Sequence, residues 1–196
     1  ESVLAVDVLP RPEITSVVIG DGEDSRSQVT SVTVSFDSEI QAGGAAIVIT
    51  NQQTQAVVDV DVVISSSGAG MPSNARITFL PGPSVATRNG AAPTSLIDGN
   101  YQLRVVASEV QSSQDDVAMS QDYHFGDQAV DAFFRFYGDS DGDRDVDGQD
   151  YGRFGLTFLK SPVDPEFNSL LDFDGDGNVN GQDYGQFGLR FLKPFP

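Results

Sequence analysis

At 196 residues the chain is long enough for one large domain or two small ones, and its 39% hydrophobic content, rich in phenylalanine, can supply a core. A net charge of −18 excludes nucleic acid and anionic membrane as partners, since both require a basic surface. There is no cysteine, so disulfides and thiolate chemistry are excluded as well. No apolar run approaches the length of a membrane span, and no signal peptide opens the chain. Beginning Glu1-Ser2-Val3-Leu4, the sequence reads as a fragment of something longer.

Residues 1–12 read as a lead-in or linker. From residue 13 to residue 125 the pattern has period two, with alternating or β-branched runs at 13–19, 29–36, 45–50, 56–64, 75–80, 101–107 and 118–125. Turn residues separate the runs, among them Gly20-Asp21-Gly22, Gly43-Gly44, Pro81-Gly82-Pro83 and Asp98-Gly99-Asn100. About seven strands with no helical stretch between them predict an antiparallel sandwich over residues 1–126. Val32, Val34 and Phe36 should face its core, with Leu103, Val105 and Tyr101. Asp21, Glu23 and Asp24 read as an acidic hairpin tip, although a third cation there is the alternative.

At residue 127 the period changes. Val130, Phe133, Phe134 and Tyr137 recur at i, i+3, i+4 and i+7, which predicts an entering helix. Two further amphipathic helices are predicted from Tyr151 to Lys160 and from Tyr184 to Lys193. A fourth is predicted behind Asp164 and Pro165, with Phe167, Leu170 and Leu171 on its apolar face. Residues 127–196 therefore read as a small all-α module.

Twelve-residue acidic loops precede the two later helices. The first carries Asp139, Asp141, Asp143, Asp145, Asp147 and Asp150; the second carries Asp172, Asp174, Asp176, Asn178, Asn180 and Asp183. Oxygen side chains fall at positions 1, 3, 5, 9 and 12, the spacing of a calcium loop in which position 7 lends its carbonyl. Calcium is a hard cation that takes about six to eight oxygens, so two loops in register imply two calcium ions. Without the ion the carboxylates repel one another, so binding free energy becomes folding free energy. Val146 and Val179, at position 8, should pair across the loops and tuck into the core between them. The second loop has Gly177 at the sharp turn where the first has Arg144; the first carries more carboxylates.

Position 12 is Asp in both loops, and residues 145–160 and 178–193 repeat Val, Gly-Gln-Asp-Tyr-Gly, Phe-Gly-Leu and Phe-Leu-Lys in step. In these features the chain from about residue 128 onward resembles the dockerin family of bacterial calcium modules. The entering helices, fuller than those of the shortest dockerins, lean towards a paired EF-hand. The resemblance implies the twelve positions above as ligands, Asp145 and Asn178 through their carbonyls. It also implies a cohesin-like or cell-surface protein partner, contacted at loop positions 10 and 11 and along the exit helices. Here those positions are Gly148-Gln149 and Gly181-Gln182, not the small hydroxyl pairs of cellulosomal members. Residues 96–103 with 29–36 resemble a bacterial immunoglobulin-like module, the tyrosine at position 101 leading a late strand. The fold expected is thus an immunoglobulin-like β-sandwich followed by a small all-α dockerin or EF-hand-like calcium module.

Nothing in the sequence assembles a hydrolase: one histidine, no nucleophile elbow and no phosphate-binding glycine loop opening a helix. The expected role is a non-catalytic segment of a large exported bacterial protein, extracellular or at the cell surface, joining a spacer to a docking module. The rival is a calcium-stabilised terminus packed on its own sandwich without a partner. Gly152, Gly155, Gly185 and Gly188 bear on both: either a partner backbone approaches them closely, or the two exit helices pack tightly there. A calcium sensor that opens a groove would want a Met-rich face, and Met71 and Met119 are the only methionines.

Overall fold

The computed structural model describes residues 9–86 and 94–196; the first eight residues of the expected lead-in lie outside the described residues. The chain is mostly β. In chain order the strands are β1 (Ile14–Ile19), β2 (Ser31–Phe36), β3 (Ile40–Ala42), β4 (Ile47–Asn51), β5 (Val57–Val58), β6 (Val60–Ser66), β7 (Ser73–Phe79), β8 (Val85–Ala86), β9 (Ser95–Leu96), β10 (Gly99–Val105), β11 (Val110–Ser112), β12 (Tyr123–Phe125) and β13 (Phe134–Arg135). Two helices follow, α1 (Gly148–Thr157) and α2 (Gly181–Gly188). One sheet has the order β1-β2-β7-β6 and another β12-β10-β4-β5, with β13 added alongside β10; β11-β3 and β8-β9 form two-stranded sheets.

The two larger sheets share one core because their inward positions alternate with period two. Val32, Val34 and Phe36 of β2 meet Ala75, Ile77 and Phe79 of β7, and Ile47, Ile49, Tyr101, Leu103 and Val105 come from the other sheet. The hydroxyl of Tyr101 donates to the Ile97 carbonyl at 2.9 Å, tying β10 to the chain just before it. Burial pushes that phenol up to about 12, so it stays a donor.

The second half departs from the expected all-α module, and with it the expected fold class falls. Among the described residues there are only two α-helices, of 10 and 8 residues, and the strands lie in several sheets, of which the two larger form the sandwich around the shared core, where about seven strands in one immunoglobulin-like sandwich were expected. The entering helix over Val130–Tyr137 does not form. A 3-10 turn (Ala129–Asp131) leads instead into β13, which pairs Gly99 with Arg135 and Asn100 with Phe134. Successive side chains there point to opposite sides: Phe133 joins the sandwich core and Phe134 a second cluster, while Val130 is 96% exposed. A segment buried on both sides is served by a strand, which gives each side alternate residues.

The helix expected behind Asp164 is also absent. Pro162 and Pro165 disfavour helical geometry in the residues before them, and a turn closed by Asp164 accepting from the Ser161 N–H takes its place. Only a 3-10 turn, Ser169–Leu171, follows. Both exit helices stop short of the expected Lys160 and Lys193, at Thr157 and Gly188, and beyond them Leu159 and Leu192 turn out with φ of 61° and 54°. Their amides donate reciprocally to the other repeat: Leu159 N–H to the Val179 carbonyl at 2.7 Å and Leu192 N–H to the Val146 carbonyl at 2.8 Å. Val146 and Val179 are fully buried in one cluster, as their position predicted, but their backbones pair with these leucines.

That second cluster comprises Phe134, Phe136, Tyr137, Val146, Phe154, Leu171, Val179 and Phe187. Aromatic pairs knit the helices in a reciprocal way: Tyr184 lies against Phe154 and Phe158, and Tyr151 against Phe187 and Phe191. The glycines contribute nothing to this seam. A Cβ built on Gly152, Gly155, Gly185 or Gly188 would meet nothing within 4 Å, so tight helix packing does not explain them. No helix among the described residues is long and apolar enough to cross a membrane.

Candidate metal centre

Each acidic loop is pinned by its own backbone before any cation is considered. Asp147 and Asn180 cap α1 and α2 and accept from the amides of Gln149 and Gln182. Three residues on, in each first turn, stand Asp150 and Asp183, which answer the cap reciprocally: their Oδ2 atoms accept from the Asp147 N–H at 2.9 Å and the Asn180 N–H at 2.7 Å. Their Oδ1 atoms accept from the second residue of each loop, Ser140 and Phe173. Position 12 in each loop thus doubles as the third helical residue of a capping box.

Position 1 is fixed the same way. Asp139 accepts from Gly142 and Arg144, and Asp172 from Gly175 and Gly177, at matching positions. Arg144 adopts φ of 76° where its counterpart Gly177 has 87°, so the non-glycine residue takes the same left-handed turn. That costs roughly 1 kcal/mol for a residue with a Cβ. Its guanidinium lies 4.4 Å from the Phe134 ring centroid and 5.3 Å from that of Phe195, contacts worth about 0.5–1 kcal/mol that offset much of the cost.

The carboxylates of Asp139, Asp141 and Asp150 bring oxygens within 4.8 Å of one another, as do Asp172, Asp174 and Asp183. In the first loop Asp145, Asp147 and Asp150 form a further such group; Asn178 and Asn180 replace its counterparts in the second. Asp143 and Asp176 belong to none of these groups; their carboxylates accept from the amides of Asp145 and Asn178, and Asp176 also from the Asn180 side chain. Several aspartate clusters could therefore hold a metal ion. The donor set is all oxygen, which suits hard divalent cations. One observation favours a cation directly: Asp141 Oδ1 is buried without a hydrogen-bond partner.

Sequence reasoning missed two groups here. Arg153, three residues past position 12, donates to the Ser140 carbonyl and lies 3.7 Å from Asp141. Its counterpart in the second repeat is Gln186, so only the first loop has a resident cation at its rim. The Ser140 hydroxyl adds a second bond to Asp150 at 2.7 Å. Neither stands at a ligand position of the spacing rule.

Burial pushes the Asp139 carboxyl up from its ordinary value to about 6; the amides of Gly142 and Arg144 oppose this, and the charges of Asp150 and Asp143 add to it. Asp141 and Asp183 are raised too, again chiefly by burial. A carboxyl raised on folding favours the folded state fully below its unfolded value, near 4, and loses that contribution as pH climbs through its folded value. The chelated protein should therefore lose urea resistance between about pH 4 and 6, the range set by Asp139. With calcium present the trend should invert, since ionised ligands are needed. Urea midpoints measured from pH 4 to 7.5 with chelator and with calcium test this; parallel curves would refute it.

No protein-family model, curated protein or solved structure matches this chain. What fold and site define is a mostly β protein bearing a repeated, helix-capped aspartate loop.

Proposed function

We propose that the chain is a non-catalytic, calcium-binding attachment segment of an exported bacterial protein, acting outside the cell, where calcium is plentiful. The observation that carries the reading is the repeat itself: two aspartate sets at matching positions, each fixed by its own helix cap. Bound calcium would neutralise carboxylates that otherwise repel. The chain's residues do the rest: Asp150 and Asp183 orient the exit helices through their caps, and the aromatic seam fixes the helices against each other.

The attachment surface in this reading is the outer side of α1 and α2. Leu156 and Leu189 are 69% and 68% exposed, and Leu159 and Leu192 are 74% and 71% exposed in left-handed turns. Helix ends usually give that conformation to glycine, so two exposed leucines held there support a contact role. The open space over Gly152, Gly155, Gly185 and Gly188 leaves room for a partner's backbone. A cohesin-like or cell-surface protein is the partner proposed. The second reading, a calcium-stabilised terminus without a partner, is favoured by the bonds joining the loops to the sandwich, such as Arg190 to Asp98 and Gln28 to the Asp172 carbonyl.

Calorimetric titration of chelator-treated protein with calcium should give two sites with a gain of helix by circular dichroism. No heat and no helix gain would sink the calcium reading. Immobilised protein should then retain a partner from exported proteins of the source organism, release it with chelator, and lose it on Leu156→Asp with Leu189→Asp. Retention unaffected by the aspartates would remove this face as the attachment surface.

A further inference from the structure

The four residues 25–28, just before β2, touch both acidic loops at equivalent places. The Ser25 hydroxyl and the Arg26 N–H both donate to the carbonyl of Asp139, the first residue of the first loop. The Gln28 amide donates to the carbonyl of Asp172, the first residue of the second. Between them the Ser27 hydroxyl, fully buried, accepts from the Gly138 N–H at 3.0 Å and donates to the Leu170 carbonyl at 2.8 Å. One hydroxyl thus bridges the approaches to both loops. Behind the bridge, the Arg26 carbonyl accepts from Phe136 N–H and the Ser27 carbonyl from Arg135 Nε.

The segment also runs straight into the sandwich core. Val29 follows it, fully buried, its N–H held by the Ser95 hydroxyl and its carbonyl by Leu96 of β9. On the other side, Gly142 of the first loop presses on the Asp24 carbonyl so closely that an added Cβ would lie 2.3 Å from that oxygen. The loops therefore cannot shift independently of residues 24–28.

We infer that residues 25–28 form a positioning strap that couples the two metal loops to the sandwich, with Ser27 as its central bond. This rests on the loops being calcium sites. Ordering the first loop sets the Ser25, Arg26 and Ser27 bonds, ordering the second sets those of Ser27 and Gln28, and these bonds steady Val29 and the start of β2. Calcium should then protect backbone amides of the sandwich far from any ligand.

The test uses the whole chain, chelator-treated, with calcium chloride as the probe, read by calorimetry and by amide hydrogen exchange. In the unsubstituted protein, calcium should slow exchange of the Val29 and Leu96 amides as well as those of the loops. Ser27→Ala strands a buried N–H and a carbonyl, so calcium affinity should weaken about tenfold. Slowing by calcium should then be confined to residues 139–192. Ser112→Ala removes a hydroxyl of similar burial that serves Gln114 within the sandwich. It should leave both calcium readouts unchanged even where it lowers the melting temperature. If Ser27→Ala does not fold, Gln28→Met removes the bonds to the Asp172 and Ser169 carbonyls, neither of them at the first loop, and should weaken the second site selectively. Sandwich protection and calcium affinity equal to the unsubstituted protein in Ser27→Ala, or in Gln28→Met where that variant stands in, would overturn the strap. No calcium heat in the unsubstituted protein would overturn the site reading itself.

Discussion

Replacing Asp98 by alanine should destabilise the folded chain by about 3–5 kcal/mol, because it strips the shared partner from two guanidinium groups. Asp98 Oδ1 lies 2.5 Å from Arg135 Nη1 and accepts from the Tyr137 N–H, while Oδ2 lies 2.5 Å from Arg190 Nε. The Arg135 side chain is only 3% exposed, so water cannot replace the lost carboxylate. Burial pushes this guanidinium down from its ordinary value, and the Asp98 charge opposes that shift. Both arginines lie over the rings of Tyr137 and Phe173, which retain some attraction after the substitution. Arg190→Met should cost far less, since Arg135 would then keep Asp98 to itself. Urea unfolding in saturating calcium, followed by tyrosine fluorescence, measures both. A loss under about 1 kcal/mol for Asp98→Ala would mean that the triad adds little at this seam.

Asp98 also marks where sequence reading failed. In sequence it is one residue of an Asp-Gly-Asn turn between strands, and nothing local says that Arg135, Tyr137 and Arg190 converge on it. The acidic loops were legible because their chemistry is local: each carboxylate lies within twelve residues of its group, and caps and glycines follow the same spacing. β2, β4, β7 and β10 were legible for a similar reason, since alternation is written into each run. The stretch from Val130 to Tyr137 was misread because Phe133, Phe134 and Tyr137 satisfy a helical stripe and a doubly buried strand equally. The start of β10, Gly99 and Asn100, which β12 leaves unpaired, decides between them, and a pairing partner is a tertiary fact. Glycines in α1 and α2 misled in the opposite sense. They read equally as contact points between helices, but Tyr151, Phe154, Tyr184 and Phe187 fill that seam, leaving the glycines facing open space.

Asp183→Ala and Asp183→Asn should cost the metal-free fold unequally while weakening calcium binding alike, and that pairing separates a cation site from an acidic turn. Asp183→Ala leaves the partly buried amides of Phe173 and Asn180 without their acceptors and opens the α2 cap. At about 1–3 kcal/mol per stranded donor, the chelated protein should lose roughly 2–4 kcal/mol, and calcium binding at the second loop should vanish. Asp183→Asn keeps the shape and one of the two acceptors, removes the charge, and turns an NH2 group on the other amide. Burial raises the Asp183 carboxyl, and the charges of Asp174 and Asp172 raise it further, so its ionised form is a liability to the metal-free fold. The asparagine variant, with one stranded amide against two and no charge to bury, should therefore lose less than alanine in chelator while binding calcium at the second loop at least a hundredfold more weakly, a change of about 2.7 kcal/mol. Urea unfolding in chelator, paired with calorimetry, reads both quantities. If asparagine bound calcium as tightly as the unsubstituted protein, the Asp183 charge would not be serving a cation, and the loop would be an acidic turn held by its hydrogen bonds.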